Sequence, residues 1–213
     1  MKIRQFPLSC NCYIVSDDDG KTVVFDPCES GEEIYLYLKD QKLDLVAVII
    51  THGHFDHIYG LSDLVNTAND DGKEFPVYIH SGDESKMRSR EGNLSAPLFR
   101  TPYEYTGTLN KVEDGDVINV GKLSFRVLHT PGHTSGSACF VVDEEKTIFA
   151  GDVLFEGSIG RTDFPGGDMT KMRASLTKLM EFGDDFKVYS GHGSSTTIGQ
   201  ERNFNPFIAQ LGI

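Results

Sequence analysis

A buried strand that runs into a histidine-rich turn is the feature that most constrains the fold of this chain. Leu45–Ile50 is nearly unbroken in apolar or small side chains, which is typical of a strand covered on both faces. A polar turn over residues 51–57 follows, and then a segment in which Leu61, Leu64 and Val65 keep helical spacing. The sheet that contains this strand must therefore be covered on both sides.

The chain divides into two halves, and each half places strands before helices. In the first half we expect a hairpin of Asn11–Ser16 and Thr22–Asp26, a helix over Glu32–Leu43, a strand at Pro76–His80, and helix and loop up to Gly107. In the second half we expect strands at Val117–Val120, Leu123–His129, Gly136–Val142, Thr147–Ala150 and Lys187–Ser190, a helix starting at Asp168–Thr170, and a helical tail from Thr197 to Pro206. This order predicts an α+β fold, a four-layer αββα sandwich forming one domain over residues 1–213.

The turn after the buried strand carries the pattern His52-x-His54-x-Asp56-His57. Imidazole nitrogens and carboxylate oxygens are the donors that zinc accepts in proteins. Because alternate residues in such a turn tend to project in the same direction, His52 and His54 can chelate one ion while Asp56 and His57 reach a neighbouring position. The pattern therefore predicts a site for two metal ions.

Three further donors stand directly after predicted strands and beside glycine: His133, Asp152 and His192. Glycine allows the backbone to turn sharply and to approach a ligand closely, so strand ends of this kind can gather donors at one edge of a sandwich. His80 and His129 lack this pattern, and we expect structural roles for them, with His129 a candidate for hydrogen-bonding support of the site.

The histidine turn resembles, together with His133, Asp152 and His192, the complete metal-binding motif of the metallo-β-lactamase superfamily. The resemblance spans nearly the whole chain. It implies the αββα fold of that family. It implies that His52, His54 and His133 hold a first metal, that Asp56, His57 and His192 hold a second, and that Asp152 bridges them. The metals implied are two divalent ions, first of all Zn²⁺, with Fe or Mn as alternatives.

Two later segments, Gly160–Phe164 and the Glu201-Arg202-x-x-Asn205-Pro206 pattern, resemble both short bacterial glyoxalase II proteins and persulfide dioxygenases. We favour pairing of Arg161 with Asp163, which would brace the loop beside Asp152. In the alternative, Arg161 faces an anionic substrate. Full-length glyoxalase II carries an additional C-terminal helical region that forms much of its glutathione site, and that region has no counterpart here.

The resemblance implies hydrolysis of a thioester such as S-lactoylglutathione by a metal-bound hydroxide at a dinuclear site, with Asp56 orienting the bridging hydroxide. The alternative is a persulfide dioxygenase, a sulfur oxidoreductase with a single iron at His52, His54 and His133 near Asp152. Nuclease action on RNA, as in distant relatives with an inserted domain, does not suit an acidic chain that lacks the insertion.

Charge and hydropathy limit the partners and the location. A formal net charge of −12 argues against binding to nucleic acid or to anionic membranes. Met1–Val15 lacks the apolar core of a secretory signal, and we therefore expect a cytoplasmic protein acting on a small-molecule thioester. We expect the four cysteines to be buried, reduced thiols. The sequence does not indicate an oligomeric state.

Overall fold

The computed structural model describes residues 1–213. The first of its two large sheets has six strands in the order β1-β2-β3-β4-β5-β6. Their bounds are β1 Lys2–Pro7, β2 Asn11–Ser16, β3 Lys21–Phe25, β4 Asp44–Ile50, β5 Val77–His80 and β6 Asn110–Val112. β1, β2 and β3 pair antiparallel, whereas β3 to β6 pair parallel. The parallel strands therefore direct their C-terminal ends to the same edge of the sheet.

The second large sheet also has six strands, in the order β14-β13-β10-β9-β8-β7. Their bounds are β7 Val117–Val120, β8 Leu123–His129, β9 Ala138–Val142, β10 Thr147–Gly151, β13 Lys187–Ser190 and β14 Thr196–Thr197. β10 and β13 pair parallel, and the other pairs are antiparallel. A small hairpin, β11 Leu154–Phe155 and β12 Ser158–Ile159, lies between β10 and β13 in the sequence.

Seven α-helices complete the fold, and their bounds are α1 Gly31–Asp40, α2 Phe55–Ile58, α3 Leu61–Asp70, α4 Glu84–Met87, α5 Met169–Leu179, α6 Ile198–Phe204 and α7 Pro206–Leu211. α1 and α3 pack on the outer face of the first sheet through Ile34 and Leu64, which belong to one buried cluster. Met172 of α5 and Ile208 of α7 belong to another, on the outer face of the second sheet. No helix of the fold is both long and apolar enough to cross a membrane.

The two sheets meet face to face through a core that is rich in phenylalanine. Phe25 of the first sheet stacks on Phe149 of the second, with ring centroids 4.3 Å apart, and contacts Phe125 and Phe140 edge-on. All four rings are almost fully buried, and burial of large aromatic surfaces is a major source of folding free energy. The αββα sandwich predicted from the sequence is confirmed.

Several predicted element bounds need correction. β1, β6, β11, β12 and β14 were not predicted, because they are short or lie at sheet edges and carry weak apolar alternation. The predicted helix over Glu32–Leu43 covers Gly31–Asp40. The helical tail does not end at Pro206; that proline instead starts α7, where its missing N–H costs no hydrogen bond, and Asn205 caps the new helix. All four cysteines are buried and free, as expected.

Candidate metal centre

The seven predicted donors lie on four loops that follow the ends of β4, β8, β10 and β13. The loop after β4 brings His52 and His54, and α2 then carries Asp56 and His57. The other three loops bring one donor each: His133, Asp152 and His192. The first loop belongs to one sheet and the other three to the second sheet. The donors therefore meet at one edge of the sandwich, between its two sheets.

Glycine is required where these loops approach one another. A Cβ atom at Gly191 would lie 2.2 Å from Asp152 Oδ1 and 2.7 Å from His57 Cε1. Gly151 has a φ of +50°, and a Cβ atom there would lie 2.5 Å from Thr51 Oγ1. Since side-chain atoms cannot approach so closely without displacement, the glycines that precede Asp152 and His192 allow the donors to converge.

The donors form three overlapping sets, and in each set the donor atoms lie within 4.8 Å of one another. The sets are His52, His54 and His133; His52, His57 and Asp152; and Asp56, His57 and His192. Within the first set, His54 Nδ1 is 2.9 Å from His133 Nε2. Within the third set, His57 Nε2 is 3.3 Å from His192 Nε2, and the latter is 3.4 Å from Asp56 Oδ2.

Asp152 lies between the first and third sets. Its Oδ1 is 3.4 Å from His57 Nε2, and its Oδ2 is 3.6 Å from both His133 Nε2 and His192 Nε2. One carboxylate thus faces imidazoles of both sets, which is the position that a bridging ligand would occupy.

The buried polar atoms of this cluster indicate that it suits metal ions. His52 Nε2, His54 Nε2 and Asp152 Oδ1 are the buried side-chain nitrogen and oxygen atoms of the chain that have no hydrogen-bond partner. Leaving such atoms unpaired is costly in a protein interior. Since His52 Nδ1 already contacts Thr51 Oγ1 at 3.2 Å, its Nε2 is left free as a ligand. The donor set therefore fits cations bound by imidazole and carboxylate.

The histidines of the cluster fall into two groups by the direction of their pKa shifts. Burial, and then the neighbouring histidines, hold the pKa of His52 well below its usual range, and burial with His133 lowers the pKa of His54 to about 3. Burial opposes protonation of His57 as well, but Asp152 and Asp26 raise its pKa above the usual range. A hydrogen bond to Asp56 raises the pKa of His192. Carboxylates thus favour the protonated forms of His57 and His192, whereas burial keeps His52 and His54 neutral.

The carboxylates respond in the opposite direction. Burial alone would raise the pKa values of Asp56 and Asp152. For Asp56, His192 and His57 outweigh burial and lower the pKa; for Asp152, His57, His133 and His192 hold the pKa well below its usual range. Both carboxylates are therefore ionised at neutral pH and available to a cation.

Arg161 and Asp163 lie on the loop that follows β12, beside the cluster. Arg161 forms two hydrogen bonds to Asp163, each 2.7 Å long, and its guanidinium lies 3.7 Å from the ring centroid of Phe164. The Arg161 carbonyl is 2.8 Å from His133 Nδ1. The side chain thus binds its own loop, while the backbone of that loop supports a predicted ligand.

The remaining sequence motifs lie outside the cluster. His80 and His129 stack on each other, with ring centroids 3.8 Å apart, and His129 Nε2 contacts the Ser135 carbonyl rather than a predicted ligand. Buried Glu201 accepts hydrogen bonds from Thr196, Asn205 and the Gly157 amide, so the late Glu-Arg motif joins α6 to the β11–β12 hairpin.

Sequence reasoning missed Asp26, which supports the cluster. Its Oδ2 is 2.9 Å from His57 Nδ1 and accepts a hydrogen bond from Thr51 Oγ1, and its Oδ1 accepts from the Thr51 amide. Asp26 is buried and has a φ of +46°. It directly follows β3 and precedes a proline, so the search for polar residues after strands could have found it.

A family model of the metallo-β-lactamase superfamily matches residues 6–192. Among sequence relatives, the hydroxyacylglutathione hydrolase GloC of Haemophilus influenzae is 35% identical, and the alignment covers 98% of each chain. Together with the fold and the cluster of histidines and aspartates, this match settles the family.

Three solved structures are also similar. The BLEG-1 B3 metallo-β-lactamase is 36% identical with a TM-score of 0.89, covering 97% of this chain and 99% of that one. TTHA1623 in a di-iron-bound form is 32% identical with a TM-score of 0.84, covering 97% and 100%. ETHE1 from Myxococcus xanthus is 28% identical with a TM-score of 0.76, covering 99% and 85%. The chain belongs to the metallo-β-lactamase superfamily.

Proposed function

We propose that this protein is a metal-dependent hydrolase that cleaves a thioester of the S-lactoylglutathione type at a dinuclear site. In this proposal His52, His54 and His133 form site 1, and Asp56, His57 and His192 form site 2. Asp152 bridges the two. The observation that carries the proposal is the position of Asp152, whose two oxygens face imidazoles of both sets at 3.4–3.6 Å.

The relative named a hydroxyacylglutathione hydrolase, 35% identical over nearly the full length of both chains, supports a thioester as the substrate. Nitrogen and carboxylate donors suit Zn²⁺, and Fe or Mn can bind the same donors. We propose two Zn²⁺ ions, and a small molecule rather than nucleic acid as the partner, because the chain carries a net charge of −12.

When bound, two divalent ions would supply a Lewis acid and lower the pKa of water toward neutrality. The residues of the chain decide where that chemistry is directed. The side chains of His52 and His57 are fully buried, whereas those of Asp56 and His192 are 22% and 38% exposed. The cluster therefore opens to solvent at Asp56 and His192, and the thioester approaches from that side.

Asp56 is placed to orient the attacking water. Its pKa is lowered by His192 and His57, so the carboxylate is ionised at neutral pH and can accept a hydrogen bond from that water. The leaving thiolate is a weak base, so its departure needs no general acid. Arg161 is already held by Asp163, and we assign it to bracing the loop rather than to substrate binding.

Persulfide dioxygenase activity is a second candidate, favoured by one specific observation. The three histidines of site 1 are all almost fully buried, so this site alone offers a protected place for a single iron, near Asp152. The two candidates differ in metal count, since the hydrolase requires two ions and the dioxygenase one.

The test is to deplete the protein of metal, restore Zn²⁺ or Fe²⁺, and assay a panel of thioesters, β-lactams, and glutathione persulfide with oxygen uptake. We expect thioester hydrolysis that is lost on depletion and restored by close to two Zn²⁺ per chain. The variant His54→Ala should be inactive. The matched control His129→Ala, which removes a histidine outside the cluster, should retain activity.

Two results would contradict the hydrolase, and a third would contradict its proposed substrate. Thioester cleavage that survives complete metal loss would remove the proposed role of the cluster. Oxygen uptake on glutathione persulfide with one iron per chain, and no thioester cleavage, would establish the second candidate instead. Turnover of β-lactams without thioesters would likewise reject the proposed substrate.

A further inference from the structure

A buried carboxylate outside the donor set connects the two halves of site 1. Asp83 lies at the end of a 3₁₀ turn, Ser81–Asp83, that directly follows β5, and it is fully buried. Its Oδ2 accepts hydrogen bonds from the Gly53 amide at 2.9 Å and from Thr134 Oγ1 at 2.7 Å. Its Oδ1 accepts from the Gly136 amide at 2.8 Å, with a longer contact of 3.4 Å to Ser135 Oγ.

The donors to Asp83 come from the two loops that form site 1. Gly53 is the residue between His52 and His54, on the loop after β4 of the first sheet. Thr134 directly follows His133, on the loop between β8 and β9 of the second sheet. A single carboxylate oxygen therefore binds both loops at once, and the hydrogen bonds of Asp83 go to these loops rather than to an imidazole of the site.

The packing around Asp83 leaves little freedom to these loops. A Cβ atom at Gly136 would lie 2.3 Å from the Asp83 amide nitrogen, and one at Gly82 would lie 3.0 Å from the Gly136 Cα. Both glycines thus allow the turn after β5 to contact the His133 loop backbone to backbone. The contact is fixed by geometry as well as by hydrogen bonds.

The bonding pattern suits the two oxygens of a carboxylate. Asp83 accepts from two amides and two hydroxyls, and none of these donors belongs to a lysine or an arginine. A carboxylate can accept at all these positions, whereas an asparagine would turn an NH₂ group toward donors on one side. Because both oxygens are engaged by donors from two loops, the carboxylate holds these loops in defined positions.

We propose that Asp83 is a positioning residue that sets the separation of His52 and His54 from His133 and thereby determines metal affinity at site 1. The inference rests on the ligand set of the proposed function, but not on its substrate. Asp26 supports site 2 by direct contact with His57. In this inference, Asp83 supports site 1 in a corresponding way, through the loops that carry its ligands.

The experiment measures Zn²⁺ affinity by competition with a chromophoric chelator in a His192→Ala background, where only site 1 is complete. Adding Asp83→Asn should weaken Zn²⁺ binding by at least about 10-fold, as is typical when support of metal ligands is lost. The control Asp143→Asn removes an exposed carboxylate that pairs with Arg126, and it should leave the affinity within about twofold, as expected for an exposed pair. Thermal unfolding of the metal-free proteins verifies that each variant is folded.

Affinity of Asp83→Asn within about twofold of its parent would overturn the inference. If Asp83→Asn does not fold, Thr134→Val decides in the same background: it removes one donor to Asp83, and unchanged Zn²⁺ affinity would reject the proposal. Failure of the proposed function is separable, because a chain that binds two Zn²⁺ without cleaving thioesters would leave the metal-binding result intact.

Discussion

The two proposed metal sites would share Asp152 but differ in burial and in charge. The histidines of site 1 are between 0% and 4% exposed, and no carboxylate other than Asp152 belongs to that site. Site 2 contains a carboxylate, Asp56, and its His192 side chain is 38% exposed. In the proposed function, site 1 would hold an ion within the sandwich, whereas site 2 would expose an ion to the substrate.

The supports of the two sites differ in the same way. Asp26 contacts an imidazole of site 2 directly, so it fixes one ligand. Asp83 contacts only the loops of site 1, so it fixes the relation between ligands from opposite sheets. We therefore expect site 1 to bind metal more tightly, and variants of the two sites to behave differently.

The largest effect is expected from Asp152→Ala, because this residue belongs to both sites. Loss of the shared carboxylate removes several kcal/mol of transition-state stabilisation, which corresponds to a fall in kcat/KM on the order of 10³-fold or more. Steady-state kinetics with saturating Zn²⁺ measure the fall. Activity within tenfold of the parent protein would mean that the two sites do not act as a unit.

Variants that lack one metal ligand should differ in how much Zn²⁺ they retain, depending on the site that the ligand belongs to. We expect His192→Ala to retain close to one Zn²⁺ per chain after dialysis, because site 1 remains complete, whereas His133→Ala should lose the more tightly held ion. Elemental analysis of both variants gives the ratio. Equal retention in the two variants would contradict the difference in affinity inferred from burial.

Asp26→Asn should weaken site 2 selectively, by about 10–100-fold in Zn²⁺ affinity. The substitution disturbs the direct partner of His57 Nδ1, whereas it reaches site 1 only through Thr51, whose hydroxyl contacts His52 Nδ1. Stepwise titration of metal-free protein resolves the two binding events. If the tighter Zn²⁺ binding event were lost and the weaker one remained, Asp26 would support site 1 rather than site 2.

The smallest effect is expected from Arg161→Met. The guanidinium is exposed and pairs with Asp163 on its own loop, and exposed pairs contribute little. A change in KM of no more than about threefold is therefore expected. A rise in KM of about 100-fold for anionic thioesters, without change for neutral ones, would show that Arg161 binds the substrate instead.

The sequence predicted the layers of the fold because both halves carry long apolar strands followed by amphipathic helices. It did not predict β1 or β14, whose pairing depends on neighbours in the folded sheet rather than on their own hydropathy. The start of α7 was also missed, although Asn205 at the N-cap followed by Pro206 at the first helical position is a local signal for a helix start.

The donors could be found because each follows a predicted strand and lies beside glycine or in the histidine turn. Their supports could not be assigned in the same way. Asp26 shows the strand-end signal but no spacing to the histidines, and Asp83 acts through amides of Gly53 and Gly136 that only the packed sheets bring together. Relations between opposite sheets are absent from local sequence.

Anomalous diffraction from crystals of the Zn²⁺-loaded protein would test the central claim most directly. We expect two peaks separated by Asp152, one at about 2.0–2.1 Å from nitrogens of His52, His54 and His133, and one at similar distances from His57 and His192 with Asp56 as a third ligand. A chain with no ion at this edge of the sandwich, or with Zn²⁺ bound by other residues, would contradict the account.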